Sequence, residues 1–232
     1  LCLFLLLPCG CYARVPTFEP FLGSMAPKKY TPKYSPELYF EKGDHYFQAK
    51  KFKQALLCFG MITHHFPEHA LRPKAQFLTG ICYLEMGPPD LADKALTQYQ
   101  ELSDTEYSEQ LFSIKYSIAQ SFANGKRKNI VALEGFPKLL KADTDALRIF
   151  DEIVTASSDV DLKADALYSK GALLFAQKEY SEAIKTLKKV SLQFPSHSLS
   201  PKAFSLIAKI YCLQALPTRC PSERCSFTKT TS

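Results

Sequence analysis

The sequence predicts an all-α protein, a right-handed superhelical solenoid of about five helical hairpins. Three observations predict it. A register of small and large residues recurs along the chain, two Phe-Pro segments have matching surroundings, and the composition favours helix.

The cleanest copy of the register runs from Pro36 to Pro67, with Tyr39, Gly43, Tyr46, Ala55, Phe59 and Pro67 in fixed positions. Gly43 and Ala55 are small, as two closely crossing helices require. Tyr46 and Phe59 are large and fill the groove beside that crossing. Gly80, Tyr83, Ala92 and Leu96 repeat the register. Gly171, Tyr180, Ala183, Leu187 and Pro195 form another copy, and Ala208 and Tyr211 begin a further one. The stretch "HHFPEHALRPKA" around Pro67 is echoed by "LQFPSHSLSPKA" around Pro195. A hairpin of this kind cannot bury its apolar side alone, so it implies stacked neighbours.

Apolar residues make up 46 % of the 232-residue chain and charged ones 22 %. That balance is ordinary for a folded body with a substantial core. Trp is absent and β-branched runs are scarce, which again favours helix. The net charge of +6 is spread along the chain. Only Gly125 to Lys128 ("GKRK") is a compact basic run. It reads as a solvated loop, so no nucleic-acid partner is expected.

Leu1 to Pro8 reads as the apolar core of a signal peptide, too short to span a membrane. Cys9-Gly10-Cys11 follows it. A cysteine in that place can be the lipid-modified first residue of a bacterial lipoprotein. Cys11, with Gly10 before it, is the favoured acceptor and Cys9 the alternative. Plain cleavage after Ala13 stays open. Residues 1–11 are thus signal peptide and lipobox-like segment, and 12–35 a tether stiffened by Pro16, Pro20, Pro27 and Pro32.

The repeat body is expected over 36–216. Helix one spans Pro36–Ala49, with proline in its first turn and Ser35 as cap. Helix two runs from near Phe52 to near His65. The next hairpin pairs Leu71–Glu85 with Pro89–Leu102, broken at Gly87-Pro88-Pro89. Glu109–Phe122 is a fifth helix, with Ser117 in the small-residue position. Residues 123–142 are irregular. Asp143–Ala156, Ala164–Gln177, Tyr180–Gln193 and Pro201–Ala215 are the remaining helices, and 217–232 is a loose tail.

Catalysis is not expected. His64 and His65 are adjacent and point apart on a helix, a poor chelate. Glu41 and His45 share a helical face but read as an ordinary polar pair. No phosphate-binding loop or nucleophile elbow is present, and no metal or cofactor is expected. Cys58, Cys82 and Cys212 read as small buried hydrophobes. Cys220 and Cys225 lack the second pair that a zinc site needs, and could form a small disulfide loop.

The register of Gly43, Tyr46, Ala55, Phe59 and Pro67, echoed at Gly171, Ala183 and Pro195, resembles the tetratricopeptide repeat. Together with the Phe66-Pro67 and Phe194-Pro195 turns and the cysteine near the start, it resembles a narrower family. This is the BamD-like, or competence-lipoprotein, family of Gram-negative outer membranes. The resemblance covers about Ser35 to Leu216. It implies a non-enzymatic scaffold, lipid-anchored in the bilayer on the periplasmic face of the outer membrane. Its implied partners are the barrel-forming outer-membrane assembly protein, on C-terminal repeats, and unfolded outer-membrane protein precursors, on N-terminal repeats. The alternatives are a periplasmic adaptor of division or secretion machinery, and an unanchored chaperone-like repeat protein.

Two surfaces follow as candidates. The first helices of the first two hairpins offer Phe40, Asp44, Phe47, Phe77, Ile81 and Glu85 as a peptide-binding face, flanked by Glu37, Lys74 and Leu84. The final helix has no successor to cover it, and offers Tyr211 and Leu213 rimmed by Lys202 and Lys209 as a partner-binding end.

Overall fold

The computed structural model describes residues 31–102, 104–125, 127–128, 140–141 and 143–215. The acylation candidates Cys9 and Cys11, most of the tether, most of the irregular 123–142 stretch and the tail with Cys220 and Cys225 lie outside the described residues.

Among the described residues the fold is all-α apart from one short strand pair. The helices are α1 (Pro36–Gln48), α2 (Phe52–His65), α3 (Arg72–Met86), α4 (Pro89–Glu101), α5 (Ser108–Ala123), α6 (Asp143–Ala156), α7 (Val160–Ala176), α8 (Tyr180–Gln193) and α9 (Ser200–Ala215). The strands β1 (Arg127–Lys128) and β2 (Leu140–Lys141) pair within the stretch read as irregular. The helices pair into hairpins α1–α2, α3–α4, α5–α6 and α7–α8. They divide between two compact units, the first holding α1 to α4 and the second α5 to α9.

Local chemistry sets the helix ends. The Ser35 hydroxyl accepts the Leu38 N–H at 3.4 Å, and Pro36 opens α1. Asp159 caps α7 by accepting from Asp161 and Leu162, so α7 starts before the predicted Ala164. α1 and α7 end alike. Lys50 (φ 56°) and Lys178 (φ 67°) take the left-handed conformation. The next N–H in each case reaches back to Tyr46 O at 2.8 Å or Leu174 O at 2.9 Å. This is the Schellman pattern, in which glycine is the usual residue. Gly87 (φ 103°) is also left-handed after α3, where its own N–H reaches Tyr83 O at 3.1 Å and Pro88 has no N–H to complete the pattern.

α2 and α8 also end alike. Phe66 (φ −128°, ψ 62°) and Phe194 (φ −129°, ψ 58°) leave helical geometry directly before a proline. Proline disfavours the helical conformation in the residue preceding it. Two residues past each proline stands a histidine. His69 Nδ1 accepts the Leu71 N–H at 3.2 Å, and His197 Nδ1 accepts the Leu199 N–H at 3.2 Å.

In the first unit α2 packs on α1 and α3, and α4 closes on α3. One core cluster joins Tyr39, Ala55, Phe59, Ile62, Ala75 and Cys82. In the second unit α5 to α9 pack in sequence, and α7 also touches α5 and α9. Its cluster includes Leu167, Leu174, Leu187, Val190, Ile207 and Ile210.

The small residues of the register do what their size demands. A Cβ on Gly43 would lie 2.6 Å from Phe59 Cε1. On Gly80 it would lie 2.6 Å from Leu96 Cδ2, and on Gly171 2.7 Å from Leu187 Cδ2. The large residue of the second helix therefore sits directly over the glycine, not merely beside the crossing.

Two sequence expectations are corrected. Ser117 is exposed and donates to Ser113 O at 3.2 Å. Burial of Ile118 and Phe122 turns α5 so that Ala119, not Ser117, is its enclosed small residue. Cys212 is exposed, because α9 buries Ala203, Ile207 and Ile210 and turns the thiol away from that stripe.

Candidate binding surfaces

On α1, Phe40, Asp44 and Phe47 follow at helical spacing and share one side of the helix. All three are half-buried. The Phe40 ring lies 5.7 Å from Phe59, and Lys74 Nζ from α3 sits 5.4 Å above its centre. Phe47 packs edge-on to Phe52 at 5.8 Å. On α3, Lys74, Ile81 and Glu85 fall on one line; Ile81 is half-buried and Glu85 exposed. The face thus carries partly covered rings, a lysine beside one of them, and carboxylates at its edges.

Phe77 does not belong to it. The ring is only 2 % exposed and packs 5.3 Å from Tyr99. α3 lies between α2 and α4, so a ring in the position of Phe40 is enclosed there. α1 packs on α2 alone among the principal contacts of that unit, and its ring keeps an open side.

The chain entering α1 is tied down. The Lys33 N–H donates to Tyr39 Oη at 3.0 Å, Tyr34 packs on Tyr39 at 5.5 Å, and Lys42 Nζ sits 3.7 Å over the Tyr34 ring. Near the same end His69 Nε2 meets Glu37 Oε1 at 3.0 Å. Nδ1 of that ring is an acceptor, so Nε2 carries the hydrogen and donates. A lowered Glu37 pKa follows first from backbone hydrogen bonding, then from Ser35 and His69. Sequence reasoning weighed the histidines as possible metal ligands and used the His after each Phe-Pro as a sign of repetition, without assigning that His a contact.

At the other candidate surface, Tyr211 and Leu213 are exposed at 50 % and 43 %, and Phe204 at 59 %. Lys202 and Lys209 are exposed too. Lys209 Nζ lies 5.4 Å over the Phe175 ring, an interaction within the second unit. α9 carries no carboxylate.

Sequence reasoning missed one polar cluster altogether. Lys115 is fully buried on α5 and pairs with Glu152 on α6, which also meets Arg148 at 3.3 Å. It lies four residues before Ala119, as the buried Gln76 lies four before Gly80. Gln76 donates to Ala95 O at 3.0 Å and to Gln98 at 3.1 Å. Both are polar groups satisfied across a hairpin, which fixes register rather than performing chemistry.

Among the described residues no group of three or more His, Cys, Asp or Glu is placed to hold a metal ion. No described helix is long and apolar enough to cross a membrane. No curated protein matches the chain. The model of the tetratricopeptide repeat family matches residues 74–103 and 165–197. Those stretches cover most of α3–α4 and α7–α8, the hairpins whose glycines lie under Leu96 and Leu187. The paired helical hairpins agree with those two matches, so the chain is similar to the tetratricopeptide repeat over α3–α4 and α7–α8 and all-helical in the same manner there.

Proposed function

We propose that this chain is a peptide-binding adaptor that brings partner proteins together. The observation that supports the reading is the α1–α3 face. Phe40, Phe47 and Ile81 keep part of their surface open beside Asp44, Glu85 and Lys74. Half-open apolar groups flanked by charge suit an extended segment with alternating apolar and polar side chains. The repeat matches support a binding role in general and name no client.

A narrower reading is favoured by one sequence feature, the Cys9-Gly10-Cys11 segment after an apolar run. In that reading Cys11 is acylated and the adaptor works at the periplasmic face of an outer membrane. It would there receive unfolded barrel precursors and hold the barrel-forming assembly protein at its C-terminal unit. The resemblance of the Phe-Pro turns to the BamD-like family is its other support.

Photo-crosslinking in cells from positions 40, 44, 47 and 81 tests the adaptor, with the enclosed position 77 as control. Capture of extended client segments from the first four and none from 77 is the expected result. Capture of barrel precursors would select the narrower reading, and division or secretion proteins the alternative. Equal capture from all five positions would reject the face.

A further inference from the structure

α8 turns Ala183, Leu187 and Val190 into the core of the second unit. Its opposite side carries Lys185, Lys188, Lys189 and Leu192. Spacings of three, four and seven residues from Lys185 put all four on one face of the helix. All four are exposed. Leu192, at 80 %, is more open than any other large apolar side chain among the described residues.

The charge of this face is not balanced locally. Glu182 is the one carboxylate on α8. It meets Lys185 at 2.7 Å, and both side chains are more than half exposed. A lowered Glu182 pKa follows from Lys185 first, with Lys170 and Lys189 adding to it. Lys188 and Lys189 extend the cationic surface towards Leu192.

The hairpin itself does not demand these residues. Phe59, Leu96 and Leu187 each sit over the glycine of the preceding helix, and so align the three second helices. In that alignment α2 has Leu57, Gly60, Met61 and His64 where α8 has Lys185, Lys188, Lys189 and Leu192. α4 has Lys94, Thr97, Gln98 and Glu101. Of the three, only α8 gathers lysines beside a bare leucine.

We propose that this outward face of α8 rests on an anionic phospholipid bilayer. Leu192 enters the headgroup layer, and Lys185, Lys188 and Lys189 lie against lipid phosphates. Charge selects the occupant: clustered lysines complement an anionic surface. The leucine selects a bilayer over a folded acidic protein. Headgroups part around an isolated apolar side chain while ammonium groups stay level with the phosphates. A protein would have to supply a fitted socket for it. The contact is peripheral and reversible, since three lysines and one leucine hold far less than a spanning helix. It depends neither on the α1–α3 face nor on acylation of Cys11.

The sequence contains no Trp, so Leu192→Trp in the full chain reports on this position alone. With vesicles of phosphatidylcholine and phosphatidylglycerol its emission should move to the blue and be quenched by brominated lipid. Leu38→Trp, exposed in the first unit, should not shift. Vesicle co-sedimentation of the unlabelled chain should need phosphatidylglycerol and weaken as salt rises. Lys188→Glu with Lys189→Glu should weaken it roughly tenfold or more, and Leu192→Ser severalfold. Lys53→Glu with Lys202→Glu changes the net charge equally at other exposed positions and should leave most of the binding. Every site changed is exposed, and circular dichroism verifies the fold of each variant. An equal loss in the control pair would reduce the binding to net charge and overturn the proposal. So would unshifted emission from Leu192→Trp, or equally tight binding to phosphatidylcholine alone. An equal shift with soluble polyglutamate would make the occupant an acidic polypeptide, which overturns it too.

Discussion

The His69 ring joins Glu37, at the start of α1, to the Leu71 N–H, at the start of α3. His197 does the same between Asp161 of α7, at 3.6 Å, and Leu199 before α9. A single side chain therefore ties the beginnings of two successive first helices. The carboxylate ends are 64 % and 83 % exposed, so their Coulomb contribution is screened and small. The acceptor role of Nδ1 is the larger part. His69→Ala should cost about 1 kcal/mol and Glu37→Gln less than about half of that. His69→Asn, which retains an acceptor near the Nδ1 position, should recover most of the loss. Urea titration of the three variants checks the order, and equal costs for His69→Ala and Glu37→Gln would contradict it.

The glycine seats set a second expectation. Gly171→Ala forces a methyl against the fully buried Leu187 and should destabilise by about 1–3 kcal/mol. Gly171→Ala with Leu187→Ala should cost less than the two single changes added together, because each relieves what the other creates. Ala55→Leu and Ala183→Leu overpack the same crossings and belong to the same range. Additive costs in the double variant would show that the methyl and the leucine do not meet.

Lys50 and Lys178 hold left-handed backbone that glycine adopts without steric cost. Lys50→Gly and Lys178→Gly should each raise stability by up to about 1 kcal/mol. Thermal melts of the single and double variants test this, and a lowered midpoint would count against the Schellman assignment.

The Lys115–Glu152 pair separates two changes of similar size. Lys115→Met keeps the volume of the side chain and removes the cost of desolvating an ammonium. It should be neutral or stabilising within about 1–4 kcal/mol. Glu152→Ala removes a carboxylate that faces that buried ammonium and should be destabilising, unlike Lys115→Met. Denaturant unfolding followed by circular dichroism reads both.

Burial pushes the Cys58 thiol up to about 11. Burial, assisted by the Glu85 charge, pushes Cys82 up to about 12. Both bind their protons more tightly folded than unfolded. Their stabilising contribution is present below about pH 9 and is lost as pH rises through 9 towards 11 and 12. At neutral pH, brief alkylation and peptide mapping should mark Cys212 heavily and Cys82 hardly at all. Equal labelling of the two would show that α3 opens readily.

The fold was legible where the sequence carries its own punctuation. Ser35-Pro36, Gly87-Pro88-Pro89, Phe66-Pro67 and Phe194-Pro195 mark ends that depend on neighbouring residues only, and the helices begin or stop there. Burial is harder, because it depends on what lies across from a side chain. Nothing near Lys115 in sequence announces Glu152. Phe40 and Phe77 occupy like positions, yet only α3 has helices on both sides. Ser117 matched the register, but Ile118 and Phe122 bury more apolar surface and decide which way α5 faces. Of the candidate surfaces, α9 buries Ala203, Ile207 and Ile210 and leaves Tyr211 and Leu213 exposed. The exposure of Phe204 and Ala208 required its neighbours.

The turns after α2 and α8 share backbone angles, the proline and the histidine contacts, and the helices before them share the left-handed lysine. A hairpin with its exit turn is in this sense a cassette. It starts the following helix using only residues it carries itself and one carboxylate at its own beginning. Duplicating a cassette adds a hairpin without redesigning its neighbours, so a lineage can lengthen its binding surface in whole steps. Loss or gain of a single residue between Phe66 and Arg72 has no such tolerance, because it would part the histidine from the helix it starts.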